Sequence, residues 1–294
     1  MEVQVTSCQI EIRPVGSFLE FEEQVRHAFE RVPAESDYVL LPELFTLGLL
    51  TTFEDFESMP VTDYRRLAGF LDEYKALFSA LSEERGQVIL AGTTLEEDGG
   101  RLFNTAFIFS PDGRIQSHRK THIFPGEAAW NTSEGDRLEV FSAGPVTFGM
   151  AVCYEMEIPE ISAIYQQKGA DLIFCPSFTF TPHGFWRVRH CTHARAIENQ
   201  VYAVHCPTVG PGYGIIKPGF GTGAVLSPCD LAWTESGVLA EGSEEERIVT
   251  AKLSMEALYE NRRTGAATTV RDRRRRKSLY ENESGGVDRG GMIR

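Results

Sequence analysis

Segments with the hydrophobic pattern of strands alternate with segments of helical pattern along most of the 294-residue chain. VQVTSCQIEI has the composition of a strand, and FLEFEEQVRHAFERV after it places apolar residues at helical spacing. The succession recurs at VTFGMAVCY, IPEISAIYQQKGA and DLIFCPS, and again at HGFWRVRHCTHARAIENQ and VYAVHCPTVG. This rhythm predicts an α/β architecture with helices packed outside sheets. Reactive groups in such folds collect where strands end and loops begin.

The composition indicates one domain followed by a basic tail. No repeat, linker or change of composition interrupts the chain before about residue 262, so we expect a single domain over residues 1–262. The tail, residues 263–294, contains the run RDRRRRK in a chain whose net charge is −13. Because so acidic a chain gains little from phosphate contacts, we interpret the run as an arm at a subunit interface or a partly disordered segment.

Charge and hydropathy exclude several classes of partner. The acidic balance argues against nucleic acid as a ligand. No apolar run approaches the about 18 residues that span a bilayer, and the N-terminus lacks the pattern of a signal peptide. We therefore expect a cytoplasmic protein without membrane association. The six cysteines include no CxxC pair, so a catalytic cysteine must be recognised from its neighbours.

The first strand end with a suitable group is YVLLPE, which closes on Glu43. A carboxylate directly after an apolar strand is poorly solvated, which raises its pKa and suits it to carry protons near neutral pH. A glutamate that caps the following helix or pairs with a structural arginine would give the same pattern. The segment alone leaves both interpretations open.

The second strand end is SHRKTHIFPGE, in which Lys120 follows a strand and turn. An ammonium group beside a thiol lowers the pKa of the thiol and can stabilise an oxyanion. Taken alone, this residue would be interpreted as a solvated surface lysine, because lysine is rarely buried. His118 and His122 flank it, but the context is not helical and no third ligand follows, so we expect no metal site.

The third strand end is FGMAVCYEMEIPE, where Cys153 lies between an apolar strand and a helix that starts near Pro159. Such an elbow exposes a nucleophile and leaves backbone N–H groups to form an oxyanion hole. The acids Glu155 and Glu157 would oppose thiolate formation. A nearby cation would offset them, and Lys120 is the candidate.

Together these segments resemble the Glu, Lys and Cys motifs of the nitrilase superfamily of carbon–nitrogen hydrolases. LPELF, HRKTHIFPGE and AVCYEMEIPE occur in the order and at about the intervals of those motifs, and GADLIFCPSF and HARAIENQVYAV match two further segments. The resemblance covers residues 3 to 262. It implies a four-layer α-β-β-α sandwich with two mixed sheets, and association into a homodimer or higher homo-oligomer. Many members have Cys-Tyr-Asp-x-Arg-Phe-Pro-Glu where this chain has Cys-Tyr-Glu-Met-Glu-Ile-Pro-Glu, so the arginine of that motif is absent here.

The resemblance also implies a role for each group. Glu43 would be the general base, Cys153 the nucleophile, and Lys120 the oxyanion stabiliser together with the backbone N–H of Tyr154. Glu127 matches an additional glutamate that positions substrate and lysine in many members. The implied enzyme is a thiol-dependent amidohydrolase that cleaves a non-peptide C–N bond of a small amide or carbamoyl substrate through a cysteine thioester, without metal or organic cofactor.

The substrate and the residues of the pocket are less well defined. Cys-Tyr-Glu at the nucleophile is more similar to the amidase branches than to true nitrilases, which favours amides. Nitrile hydrolysis, or acyl transfer to an amine by the same triad, remains the alternative. A non-enzymatic scaffold is least favoured because the whole triad is present. Phe178, Thr179 and Trp130 are candidate substrate-binding residues, although each could equally pack against the neighbouring elements.

Overall fold

Two six-stranded sheets form the centre of the protein, whose structure is a computed structural model that describes residues 1–284. In spatial order the first sheet contains β12 (Arg247–Ser254), β1 (Glu2–Gln9), β2 (Tyr38–Leu40), β3 (Val88–Asp98), β4 (Arg101–Phe109) and β5 (Ile115–Arg119). The second contains β11 (Val238–Glu241), β10 (Ala224–Leu226), β9 (Tyr202–Pro207), β8 (Leu172–Ser177), β7 (Val146–Met150) and β6 (Val140–Ala143). Each sheet has three parallel strands at its centre, β1–β2–β3 and β7–β8–β9, and antiparallel pairs outside them.

Helices follow or connect most of these strands. The α-helices are α1 (Phe18–Glu30), α2 (Leu71–Arg85), α3 (Pro159–Gln167), α4 (Pro182–Asn199), α5 (Met255–Thr264), α6 (Thr269–Arg275) and α7 (Lys277–Ser284). Five 3₁₀ helices cover Phe45–Thr52, Phe56–Ser58, Val61–Phe70, Ala128–Trp130 and Cys153–Glu157. No helix among residues 1–284 is long and apolar enough to cross a bilayer.

The alternation of side chains along the short central strands explains the layering. Tyr38 and Leu40 of β2 belong to the core between the sheets, whereas Val39 and Leu41 belong to the core beneath α1 and α2. Successive side chains of a strand point to opposite faces, so an entirely apolar strand must be covered on both sides. The Tyr38 ring lies 5.5 Å from that of Phe148 in the other sheet. The α/β class and the α-β-β-α sandwich are confirmed.

The basic run near the C-terminus is helical where the structure describes it. The predicted boundary at residue 262 falls inside α5, and the run RDRRRRK occupies α6 and the start of α7. Arg273 Nη2 donates to Asn199 Oδ1 at 2.7 Å, and Arg262 Nη1 pairs with Asp171 Oδ1 at 2.5 Å. Arg273 of α6 thus contacts α4 in the helical layer of its own chain. Their place at a subunit interface stays a prediction, and residues 285–294 lie outside the described part.

Candidate active site

Three strand ends, two from the first sheet and one from the second, bring the predicted triad into one buried region. Glu43 lies three residues beyond β2, Lys120 directly follows β5, and Cys153 lies three residues beyond β7. Their exposed fractions are 2%, 1% and 7%. A lysine and a glutamate this deeply buried must be paired, because an isolated charge is costly to remove from water. The surface alternative for Lys120 is therefore excluded.

The lysine is held between two carboxylates. Lys120 Nζ donates to Glu43 Oε1 at 2.8 Å and also to Glu127 Oε2. Asn104 of β4 connects the same two acids, since its Nδ2 donates to Glu43 Oε1 at 3.0 Å and to Glu127 Oε1 at 2.8 Å. Asn104 was not among the predicted site residues, although it is a lone amide inside the apolar strand LFNTAFIF. Phe178 N donates to Glu43 Oε2 at 2.8 Å and fixes the second oxygen of that carboxylate.

Burial and mutual pairing set the charges of this cluster. Burial raises the pKa of Glu43, Lys120 opposes that shift, and Glu127 adds to it, so the pKa of Glu43 lies above its ordinary value. Burial lowers the pKa of Lys120, but Glu127 and Glu43 outweigh it, and the pKa of the lysine lies well above its usual range. The lysine thus remains a cation at neutral pH. A carboxylate with a raised pKa beside it is suited to accept and return a proton.

The nucleophile candidate lies at a strained elbow. Cys153 has φ of 49°, in the left-handed region that non-glycine residues seldom adopt, and it opens the 3₁₀ helix Cys153–Glu157. Tyr154 is the second residue of that helix, where N–H groups have no intrahelical acceptor and can serve an oxyanion.

The resting state of the thiol differs from our expectation. Burial, followed by Glu43, raises the pKa of Cys153 well above its ordinary value, although Lys120 acts in the opposite direction. Lys120 thus lowers the pKa of the thiol as expected, but burial and Glu43 outweigh the lysine. Cys153 is a neutral thiol at rest, and any attack by its sulfur requires a base that removes the proton during the reaction.

Glu155 has a role that the sequence did not show. It is fully buried, and its oxygens accept hydrogen bonds from Val152 N at 2.6 Å, from Thr121 N at 2.8 Å and from Thr121 Oγ1 at 2.6 Å. His118 Nε2 lies 2.9 Å from Glu155 Oε2. Burial raises the pKa of Glu155, but His118 and Thr121 outweigh it and lower the pKa below its ordinary value. This network ties the nucleophile elbow to the strand end that carries the lysine.

A cavity of about 140 Å³ opens onto the nucleophile. That volume is small beside the about 300–1,000 Å³ of pockets for drug-sized ligands, so the site fits a small substrate. Of the three candidate substrate-binding residues, Phe178 and Thr179 line this cavity, whereas Trp130 packs against Tyr64 at a ring distance of 5.1 Å and lines a different depression. The remaining lining residues, most of them missed, are Phe124, Cys153, Tyr154, Glu157, Phe180, Thr181, Gly184, Arg187 and Val188.

The chain is similar to known proteins over most of its length. The family model described as carbon–nitrogen hydrolase matches residues 4–263. The probable hydrolase YhcX of Bacillus subtilis (strain 168) is 32% identical over 278 residues, which are 93% of this chain and 54% of that protein. This chain therefore spans about half the length of that relative. The omega-amidase NIT2-A of Xenopus laevis is 32% identical over 259 residues, 83% of this chain and 85% of that protein.

Solved structures share the fold. The carbon–nitrogen hydrolase from Helicobacter pylori G27 superposes with a TM-score of 0.75 at 24% identity and covers 96% of this chain and 98% of its own. Nit3 of Saccharomyces cerevisiae, a member of branch 10 of the nitrilase superfamily, has a TM-score of 0.72 at 23% identity, covering 89% and 93%. With the family match over residues 4–263, the chain belongs to the carbon–nitrogen hydrolase family and is a hydrolase that acts on C–N bonds.

Proposed function

We propose that the protein is a thiol-dependent amidohydrolase that cleaves a small amide or carbamoyl compound through a thioester on Cys153. The observation that carries this proposal is the Glu43–Lys120 pair, 2.8 Å apart, buried with Cys153 beside a small cavity. The omega-amidases among the relatives support an amide as the scissile group.

In the first half-reaction Glu43 takes the proton of the Cys153 thiol as sulfur attacks the carbonyl carbon. The ammonium of Lys120 and the N–H of Tyr154 stabilise the oxyanion, in a site with little water to weaken these interactions. Collapse of the tetrahedral intermediate breaks the C–N bond, and Glu43 returns its proton to the departing amine. The acyl group remains on sulfur as a thioester.

In the second half-reaction water replaces the amine. Glu43 removes a proton from water, the hydroxyl adds to the thioester carbonyl, and the C–S bond breaks with return of the proton to sulfur. The products are a carboxylic acid and the free thiol. Glu127 and Asn104 serve as positioning residues, because they fix the lysine and the base relative to each other.

The test is ammonia release from small amides, ω-amides of dicarboxylates, carbamoyl compounds and nitriles. Cys153→Ala should lower kcat/KM by at least about 10³-fold, as expected for loss of a nucleophile. Cys229→Ala is the matched control, since Cys229 is exposed and contacts Ser236 O at 3.2 Å, and it should retain turnover. Mass spectrometry of the acid-quenched enzyme should find the acyl group on the peptide that contains Cys153.

Two outcomes would contradict the proposal. Near-normal turnover by Cys153→Ala would rule out a mechanism that passes through a thioester on Cys153. Ammonia release from nitriles alone would replace the amidase with a nitrilase. Added hydroxylamine separates hydrolysis from acyl transfer, because an acyltransferase should form the hydroxamate faster than the acid.

A further inference from the structure

One ion pair lies on the wall of the cavity that contains the nucleophile. Glu157 ends the 3₁₀ helix that begins at Cys153, and Arg187 lies on α4. Arg187 Nε is 3.3 Å and 3.4 Å from the two carboxylate oxygens of Glu157. Among the described residues, these two are the only charged ones that line the cavity; the others are aromatic, small or neutral. The cavity therefore offers one positive and one negative group, with no net charge.

This ion pair leaves both partners able to bind a ligand. Its distances exceed the about 2.7–2.9 Å of a strong charge-assisted hydrogen bond. In the described part of the chain, Arg187 has no other ion-pair partner and reaches Glu157 through Nε alone. Its two Nη groups, which can bind a carboxylate, are not used in that contact. The side chains are 51% and 18% exposed, so ligand groups can reach both.

The arginine of this pair comes from α4, not from the segment that follows the nucleophile. Many members of the resembled family have an arginine four residues after the nucleophile, and this chain has Glu157 there. Arg187 on α4 places its guanidinium in the wall of the cavity that contains Cys153. It lies beside Glu157, the acid at the position where many members carry arginine. The charge pattern of the wall is thus a pair of opposite charges instead of one cation.

We propose that this pair selects a zwitterionic substrate, the ω-amide of an α-amino acid, with its carboxylate on Arg187 and its ammonium on Glu157. The inference rests on the proposed function. The ω-amide nitrogen leaves as ammonia, the acyl group passes to Cys153 as a thioester, and water yields the ω-carboxylate and the free thiol.

The charges favour a zwitterion over simpler amides. A substrate with only a carboxylate would place that group beside the carboxylate of Glu157, and like charges at close range repel. A substrate with only an ammonium would meet the guanidinium of Arg187 in the same way. A neutral amide would leave the ion pair intact and gain no charged contact. An ammonium and a carboxylate on one carbon satisfy both partners together.

Four amides that share a butanamide chain separate these cases. L-Glutamine carries both charges, glutaramic acid lacks the ammonium, 4-aminobutanamide lacks the carboxylate, and butanamide lacks both. The corresponding series one carbon shorter, based on L-asparagine, covers the other plausible length. We expect kcat/KM for the zwitterion of one series to exceed that of each of its three analogues by at least about tenfold, mainly through KM.

Variants then assign the preference to the ion pair. Arg187→Gln should reduce the ratio of kcat/KM for the zwitterion to kcat/KM for butanamide by about tenfold. Glu157→Gln should increase kcat/KM for glutaramic acid relative to kcat/KM for L-glutamine. Arg114→Gln is the matched control, because Arg114 pairs with Asp112 at similar exposure in a turn remote from the cavity. Isothermal titration of Cys153→Ala with the preferred zwitterion, with and without Arg187→Gln, provides a binding readout that does not depend on turnover.

The outcomes distinguish this inference from the proposed function. Two results would contradict the proposed substrate class and still support the amidohydrolase. The first is turnover that depends on Cys153 but shows no preference for the zwitterion. The second is a preference for the zwitterion that neither variant changes. Absence of turnover with every amide and carbamoyl compound, together with absence of binding in the titration, would overturn both.

Discussion

Two buried glutamates, Glu43 and Glu155, lie in the same region and have opposite pKa shifts. Both are almost completely removed from solvent, and burial is the largest influence on each. Glu43 has a raised pKa because Lys120 only partly offsets burial and Glu127 adds to it. Glu155 has a lowered pKa because His118 and several donors outweigh burial. Burial alone therefore does not decide whether a carboxylate is a base or a fixed anion.

The difference follows from what each carboxylate binds. Glu43 shares the cation of Lys120 with Glu127, so two acids compete for one positive charge. Glu155 accepts hydrogen bonds from two backbone N–H groups and a hydroxyl, all of which favour the ionised form. We therefore expect a substitution at Glu43 to impair chemistry, and one at Glu155 to impair stability.

The largest expected effect is the loss of turnover in Glu43→Gln. The amide can still accept from Lys120 Nζ but cannot take the thiol proton, so kcat should fall by about 10³-fold, as for removal of a general base. Ammonia release at saturating amide measures the loss, and thermal unfolding checks that the fold persists. If Glu43→Gln retained more than about a tenth of the wild-type kcat, Glu43 would not be the catalytic base and would not differ in role from Glu155.

Glu155→Gln should instead lower the free energy of unfolding by about 3 kcal/mol, because it leaves buried donors without an anionic acceptor. Urea denaturation followed by tryptophan fluorescence measures the change. Glu84→Gln is the control: it breaks an exposed pair with Arg26 and should shift the midpoint little. A midpoint for Glu155→Gln equal to that of the control would mean that the network does not stabilise the elbow.

The stability difference between wild type and Glu155→Gln should depend on pH in one direction. The pKa of Glu155 in the folded protein lies below its ordinary value of 4.5, so the stabilisation is fully present above about pH 4.5 and is lost as pH falls through the folded pKa. Urea unfolding at a series of pH values tests this sign. A difference that grows on acidification would contradict the assignment of a fixed anion.

Glu127→Gln should move the acid limb of the kcat/KM profile to lower pH. Glu127 raises the pKa of Glu43, so its neutralisation should let Glu43 lose its proton more readily. The comparison is with Glu139→Gln, an exposed acid that pairs with Arg137, for which the limb should stay in place. An acid limb that moves to higher pH would show that Glu127 acts on the base in another way.

The smallest expected effect is on thiol labelling. Because Glu43 raises the pKa of Cys153, Glu43→Gln should increase the rate at which iodoacetamide labels Cys153 at neutral pH. Mass spectrometry of peptides measures the rate, with the exposed Cys229 as internal reference. An unchanged ratio of the two rates would mean that the carboxylate does not hold the thiol neutral.

Much of the fold was predictable from local sequence. The helix α1 was expected from apolar residues at helical spacing, and the apolar strands β2 and β8 from short runs bounded by polar residues. Glu43 and Cys153 closely follow apolar strands and Lys120 directly follows β5, and the three were recognised together from the order and spacing of their motifs. The short edge strand β6 was missed, because four residues carry too little periodicity to stand out.

The partners of these groups were not predictable, since they come from distant parts of the chain. Asn104 meets Glu43 across 61 positions, and the N–H of Phe178 meets it across 135. Glu155 was interpreted as an obstacle to the thiolate because the sequence shows its charge and not the donors around it. The sequence could not show whether Trp130 lines the substrate cavity, because an aromatic residue packs equally well in a core or in a pocket.

The sequence by itself determined the kinds of groups present and the strand ends on which they stand, because hydrophobic periodicity and strand-end position are local properties. Tertiary structure alone decided their protonation states. The pKa of Cys153, Glu43 or Glu155 depends on burial and on charges and donors that chain distance does not reveal. It also decided that Arg187 lies opposite Glu157, since only the packing of α4 against the nucleophile elbow places the two on one cavity wall.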